Sequence, residues 1–292
     1  MNIIIVANKW WEVLPLVSVM QHINPAQPGF SAAPIELYGA YQPAGGSMTL
    51  PTPRLALMLK SARIEVWCVQ DLMSRAENSS CTWEKARVLP AITEGKDENL
   101  VIAFGTAASP TGNACNGNVV IGTSVFVHDP YSGHTDREQQ WTHRDCGRLV
   151  ESDAQPIVEG ISRGWIESAE KRLIPAVNAS ANPPRIRIGS DLVAVGVVNV
   201  LDSKDYKWAD AQALMECDKC CGGKIAESVE TTHGVIRMVL NCPFIYVSGI
   251  ANAVGMFEGH VKANNYAQNL VAAHNAAVGV AWLVTAIVTE RG

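Results

Sequence analysis

Four kinds of side chain in this 292-residue sequence are placed where they can do chemistry. The first group lies between residues 225 and 262. Phe244-Ile245-Tyr246-Val247 is a short apolar, β-rich run that reads as a buried strand. Ser248-Gly249-Ile250-Ala251-Asn252 follows it, small and polar, where a strand would end. In open α/β sheets ligands sit outside the carboxyl ends of strands, so Ser248 to Asn252 is a candidate ligand rim. Val229, His233, Ile236, Val239 and Leu240 recur at helical spacing, and Asn241-Cys242-Pro243 stops that helix. Glu230, at its start, is the candidate acidic partner of the rim. A second carboxylate, Glu12, opens a helix after the first strand; an acidic first-turn residue also suits the helix dipole. Third, Gly105-Thr106-Ala107-Ala108 follows the buried strand Leu100–Phe104 and reads as a tight turn of small residues. Fourth, Cys217-x-x-Cys220-Cys221 offers three thiols, one short of a tetrahedral zinc site, with Cys242 the nearest other thiol in sequence. A cysteine-containing loop is the alternative, and no metal is assigned.

The elements that must hold these groups alternate between β and α patterns. Residues 2–7 read as strand one, followed by a helix with Trp11, Leu14, Val17 and Val19 or Met20 on its apolar side. Residues 21–53 are rich in Pro, Gly, Ala and Ser and read as a connecting segment; Gly45-Gly46-Ser47 lacks P-loop spacing and is taken as a turn. Leu55–Leu59 reads as helix, Ile64–Val69 as strand and Thr82–Ile92 as helix. Gly117–Asp129 alternates and is rich in valine, which reads as one long strand ending in His128-Asp129. Tyr131–Trp141 is a polar loop, Ile157–Leu173 a helix, and Asn182-Pro183-Pro184 a break. Residues 185–191 alternate, and Leu192–Leu201 is another apolar run.

Composition excludes several classes. Formal net charge is −5 without a basic run, so no nucleic-acid footprint is present. Met1–Ala7 has no positive n-region and reads as a strand, not as a secretory signal. Leu270–Val288 is long enough to span a membrane, but His274 and Asn275 interrupt it and small residues dominate its first half. A buried core helix is the expectation, with no membrane partner. Eight scattered cysteines without a signal point to reduced thiols and a cytoplasmic location.

Read together, these stretches resemble the nucleoside phosphorylase and nucleosidase superfamily, whose members cleave the bond between a sugar and a base. Val229-Glu230 stands for the family's Met-Glu, Cys242-Pro243-Phe244 for its "(V/C)PF" strand entry, and Asn252 for the Asp or Asn that contacts the base. Strand one and its helix resemble the strand–"GAMEEEV" start of the methylthioadenosine and adenosylhomocysteine nucleosidases. Glu12 falls on the third glutamate, which helps activate water; Trp10-Trp11 replace the other two, and Ala7 replaces glycine. Gly105-Thr106 resembles "TGSAGG", with Thr106 on the serine. Gly117–Asp129 resembles "GDVVIATEARYHD". Val197–Ser203 resembles "LIVSGDAF", with Asp202 on the aspartate but Lys204 where phenylalanine is expected; Tyr206 or Trp208 is then the candidate to stack on the base.

The resemblance covers roughly residues 2–20, 99–129 and 225–280. It implies one α/β domain over residues 1–292, with a central twisted mixed β-sheet flanked by helices. By the same resemblance Glu230 orients the sugar hydroxyls, Asn252 donates to the base, and Glu12 with Thr106 serves the nucleophile. Gly105, Val229 and Ser248 line the substrate, as do Tyr206 and His128; for His128 an ordinary His-Asp strand end is the other reading. A homo-oligomer and a small-molecule nucleoside substrate are implied, and no cofactor. Ala103 stands where hexameric phosphorylases carry a phosphate-clamping arginine, which favours water as the nucleophile. Asn252, in an S-x-x-x-N context like that of trimeric 6-oxopurine phosphorylases, favours phosphorolysis, with inorganic phosphate as co-substrate. An asparagine cannot give up a proton as an aspartic acid does, so a purine-binding protein of the same fold that lost catalysis is the third reading.

Overall fold

Ile3, Ile4, Ile5 and Val6 are all completely buried. Ile3 and Ile5 pack into one core cluster and Ile4 and Val6 into another. A strand buried on both faces in this way belongs in the middle of a helix-covered parallel sheet. This computed structural model describes residues 1–21, 32–34, 53–73, 81–93, 99–112, 115–132, 140–177, 182–200, 204–262 and 265–290. Gly45-Gly46-Ser47, Asp202 and most of the Tyr131–Trp141 loop lie outside the described residues.

In chain order the first elements are β1 (Asn2–Ala7), α1 (Trp10–Gln21), β2 (Ala32–Pro34), β3 (Leu55–Leu59), β4 (Ala62–Cys68), α2 (Val69–Leu72), α3 (Thr82–Val88, continued by a 3-10 turn Leu89–Ile92) and β5 (Asn99–Ser109). Then come β6 (Val119–Gly122), β7 (Ser124–His128), β8 (Leu149–Val150), α4 (Gln155–Gly160), α5 (Arg163–Glu170), β9 (Ile186–Ile188) and β10 (Leu192–Val197). The chain closes with α6 (Tyr206–Cys220), β11 (Ile225–Glu230), α7 (His233–Val239), β12 (Phe244–Ala253), α8 (Phe257–His260) and α9 (Ala267–Glu290). The strands form one mixed sheet in the order β2-β3-β4-β1-β5-β11-β10-β7-β8, with β12 joining β5 to β6 and β6 joining β9. This is a single α/β unit with helices on both faces of the sheet.

Two long strands organise it. β5 pairs with β1 over Asn99–Phe104 on one side, and with β12 in parallel from Val101 to Ser109 on the other. Beyond Phe104 the β1 side of β5 is vacated, and β11 takes it at Ala108. The predicted turn at Gly105–Ala108 is therefore strand, because its backbone groups are used by β12. Likewise Ser248–Asn252 continues β12 to Ala253, with a bulge between Ile250 and Asn252.

The single strand expected over 117–129 is two. Thr123 separates β6, which pairs with β12, from β7, which pairs with β10. The chain bends where Gly122 has no side chain: a Cβ there would lie 2.6 Å from Tyr246 Oη. That bend closes a ring of strands, β5–β12–β6, then β7–β10–β11 and back to β5.

Three further expectations are corrected. Leu55–Leu59 is a strand, not a helix; it turns through Lys60, at φ 49°, into an antiparallel pairing with β4. A five-residue apolar run fits either period, and its neighbour decided. Ile157–Leu173 is broken into α4 and α5 by extended backbone at Ile161 and Ser162. Val229 and Glu230 end strand β11, paired in parallel with Val195 and Gly196, and the helix starts only at His233.

The apolar C-terminal segment forms α9, whose Ala272, Ala273, Ala276 and Ala277 are fully buried. It packs against α1, α5, β5 and β12 as a core helix. Gly249 of β12 meets it so closely that a Cβ would overlap the Ala272 carbonyl.

Candidate active site

Glu12 shows how the carboxyl ends of the strands build a site. β1 ends at Ala7, and α1 starts three residues later. Trp10 pins that start to α2: its backbone N–H donates to Gln70 Oε1 at 3.1 Å and its indole N–H to Asp71 Oδ1 at 2.6 Å. The first turn thus points the Glu12 carboxylate toward β5. There Thr106 donates twice to Oε1, from its N–H at 3.0 Å and its hydroxyl at 3.2 Å, while Lys9 N–H donates to Oε2 at 3.0 Å. Glu12 is 4% exposed. A carboxylate fixed by three donors in a buried wall is pre-organised as an acceptor.

His233, the first residue of α7, converges on the same point. Its ring lies over Tyr246, centroids 6.1 Å apart, and Nδ1 lies 3.3 Å from Ser248 Oγ. Ser248 donates its proton to Ser228 Oγ at 3.3 Å. Ser248 Oγ then accepts from Nδ1–H, which leaves Nε2 of the neutral ring as an acceptor. A Cβ on Gly105 would stand 3.2 Å from that Nε2 and 3.3 Å from Glu12 Oε1, so glycine is what lets both groups come close to β5 there.

Glu230 ends β11, where the chain turns into α7. Its Oε2 accepts from the N–H groups of Thr232 and His233, the latter at 2.6 Å, and Oε1 accepts from Gly234 N–H at 3.3 Å. Oε1 keeps acceptor capacity for a ligand hydroxyl. Behind Thr232 sits Lys85 of α3, fully buried, its Nζ 2.9 Å from Thr232 Oγ1. Burial lowers the Lys85 amine to about 7, helped by nearby Lys9 and opposed by Glu230 and Glu12.

Glu12, Gly105, Thr106, Val229, Glu230, Tyr206 and Asn252 all line one cavity of about 560 Å³, within the range of small-molecule sites. Phe257 and Tyr266, both exposed and edge to face at 6.3 Å, also line it. Among the described residues the lysines on its wall are Lys9, Lys204 and Lys207. Asn252 is 7% exposed, and its Nδ2 donates to Ala253 O at 2.7 Å.

Two expected residues lie elsewhere. Ser248 is fully buried beneath His233 and reaches the cavity only through that ring. His128, at the end of β7, faces Gln212 and Glu216 of α6 outside the cavity, where burial lowers its pKa. The cysteine loop is also corrected: Cys217 and Cys220 belong to the last turn of α6. Cys217 and Cys221 pack into a different core cluster from Cys242, so the four thiols do not converge.

Two cavity groups, His233 and Asp210, and the lysine buried behind Thr232 escaped the sequence. His233 sits at an apolar period position, Lys85 in a charged and polar stretch, and Asp210 in a segment where only Tyr206 and Trp208 draw notice. Asp210 followed Tyr206 by four residues, a spacing that places two side chains on one helical face.

The chain has the nucleoside phosphorylase and nucleosidase fold. No protein-family model matches the sequence, and no curated protein sequence does. Among solved structures, it is similar to an S-adenosylhomocysteine nucleosidase from Streptococcus pyogenes in complex with 5-methylthiotubericidin: 12% identity, 97% of this chain and 96% of that one, TM-score 0.55. The 5′-methylthioadenosine/S-adenosylhomocysteine nucleosidase of S. pneumoniae, with a transition-state inhibitor, matches at 15% identity over 97% and 98%, TM-score 0.53. The corresponding enzyme of Helicobacter pylori matches at 14% over 99% and 98%, TM-score 0.52.

Proposed function

We propose that this chain hydrolyses the N-glycosidic bond of a purine nucleoside. The observation that carries the reading is the Glu12 carboxylate, held by Thr106 and Lys9 at the wall of a cavity within the range of small-molecule sites. Breaking the bond builds positive charge on the sugar and negative charge on the base, and groups fixed in advance at both ends lower the barrier. In this account Glu12 and the neighbouring Nε2 of His233 accept the proton of the attacking water. Glu230 Oε1 receives the sugar hydroxyls, and its negative charge also favours the developing cation. Tyr206 and Asn252 serve the base.

Phosphorolysis is the second reading. Lys9 beside Glu12 favours it, and the S-x-x-x-N run ending at Asn252 is consistent with it. Against it, the cations lining the cavity among the described residues are lysines, point charges without the bidentate fork of arginine. Purine release from a nucleoside panel, with and without inorganic phosphate, separates the two. Hydrolysis predicts release that needs no phosphate and falls by about 10²–10⁴-fold in Glu12→Gln. Release only with phosphate would establish the second reading. Nucleoside binding without release under either condition would leave a binding protein.

A further inference from the structure

Asn252 leaves a gap in the proposed reaction. A purine leaves far more readily when one of its nitrogens gains a proton, and an amide has no proton to give. Its Nδ2 is moreover engaged by Ala253 O. Another acid in the same cavity must supply the proton.

We propose that Asp210 of α6 is the proton donor to the leaving base, an inference that rests on the nucleosidase reading of this cavity. Asp210 lines the cavity together with Glu12, Glu230 and Asn252. It follows Tyr206 by one helical turn on the same face of α6, and both side chains line the cavity, so a base stacked on Tyr206 lies within reach of the Asp210 carboxyl.

Its surroundings suit an acid. Among the described residues no hydrogen bond or ion pair holds it as a carboxylate. α6 packs on β7, β10 and β11, whose titratable groups are His128 at the end of β7 and Glu227 and Glu230 on β11. α6 itself carries Tyr206, Lys207, Glu216, Cys217, Asp218, Lys219 and Cys220, and the cavity wall adds Lys9, Glu12, Lys204, His233, Glu258 and Tyr266. Loss of water alone raises the Asp210 carboxyl to about 7. It is therefore largely protonated in mildly acidic solution, poised as a general acid near neutrality.

The step balances. The bond from the sugar's anomeric carbon to the base nitrogen breaks, and its electron pair goes to the base. Asp210 gives its proton to a base nitrogen and becomes a carboxylate. Water bonds to the anomeric carbon and passes a proton to Glu12. Solvent then returns a proton to Asp210 and takes one from Glu12.

The test compares two substrates in wild type, Asp210→Asn and Asp210→Glu. One is a purine nucleoside; the other is 4-nitrophenyl riboside, whose phenolate leaves without a proton. The inference predicts that Asp210→Asn slows purine release by about 10²–10⁴-fold and spares nitrophenolate release within about threefold. It also predicts that wild-type purine release falls as pH rises above about 7, where the acid is lost, and that Asp210→Asn has no such limb. Partial recovery in Asp210→Glu supports it further. Equal losses on both substrates, or wild-type rates and pH profile in Asp210→Asn, would overturn it and leave the nucleosidase reading intact. A wild type that releases neither leaving group would overturn both.

Discussion

Lys85 shows at the scale of one residue how this site is held. Among the described residues no carboxylate is in hydrogen-bond contact with its buried amine, which is therefore costly to keep charged and falls to about 7. In the unfolded chain the same amine keeps its proton to about pH 10. Between those limits the unfolded state binds the additional proton, so stability rises as pH rises through that window. Below about pH 7 both states are protonated and the full burial cost is present. Lys85→Met removes the group, so the variant gains most over wild type near pH 6 and least near pH 10. Urea midpoints at the two pH values check this; a difference independent of pH would contradict it. Lys85 was not legible in sequence because burial, not residue type, creates its character. Glu12, Thr106, Glu230 and Asn252 were legible through the resemblance. His233 was not, since its spacing fitted the apolar face of a helix and only the fold brings its Nε2 and the Glu12 carboxylate to the same glycine, Gly105.

At the scale of elements, the site depends on two strands that run further than their sequences suggest. Small residues at 105–108 read as a turn and those at 248–252 as the end of a strand, because glycine and alanine carry weak strand preference. The pairing of β5 with β12 overrides that preference across nine residues of ladder register, Val101–Ser109. Small residues are needed there for close approach, not for turning: Gly105 admits His233 and Glu12, and Gly249 admits α9. Gly249→Ala forces a methyl group into the Ala272 carbonyl and is expected to destabilise by about 3 kcal/mol or more. Thermal unfolding measures it, and a loss under about 1 kcal/mol would show that α9 shifts freely. Leu55–Leu59 teaches the complementary lesson. Five apolar residues fit a buried strand or a helix turn equally, and the hairpin partner that settles it lies outside the run.

For the whole molecule, α9 is the element whose context mattered most. Its apolar length passes for a membrane span, yet Asn275 within it is fully buried and satisfied. Its Nδ2 donates to Gly117 O at 2.8 Å and Ile174 O at 2.9 Å, and its Oδ1 accepts from Ile174 N–H at 2.9 Å. Those bonds tie the core helix to the segments entering β6 and leaving α5. Asn275→Leu strands two carbonyls and an amide, and should cost about 2–3 kcal/mol in denaturant unfolding; a neutral result would mean water replaces the amide. The alternation of β and α patterns and the strand-end motifs made the α/β architecture readable. The ring of strands was not readable, because the bend at Thr123 depends on Tyr246 filling the space beside Gly122. The central claim is that Glu12 directs water at a purine nucleoside held in the ring's cavity. Reaction in phosphate-free water enriched in heavy oxygen, with base and sugar followed by mass spectrometry, tests it most directly. The account predicts free purine together with a sugar carrying one heavy oxygen at its anomeric carbon. Purine that appears only when phosphate is added, or no purine at all, would contradict it.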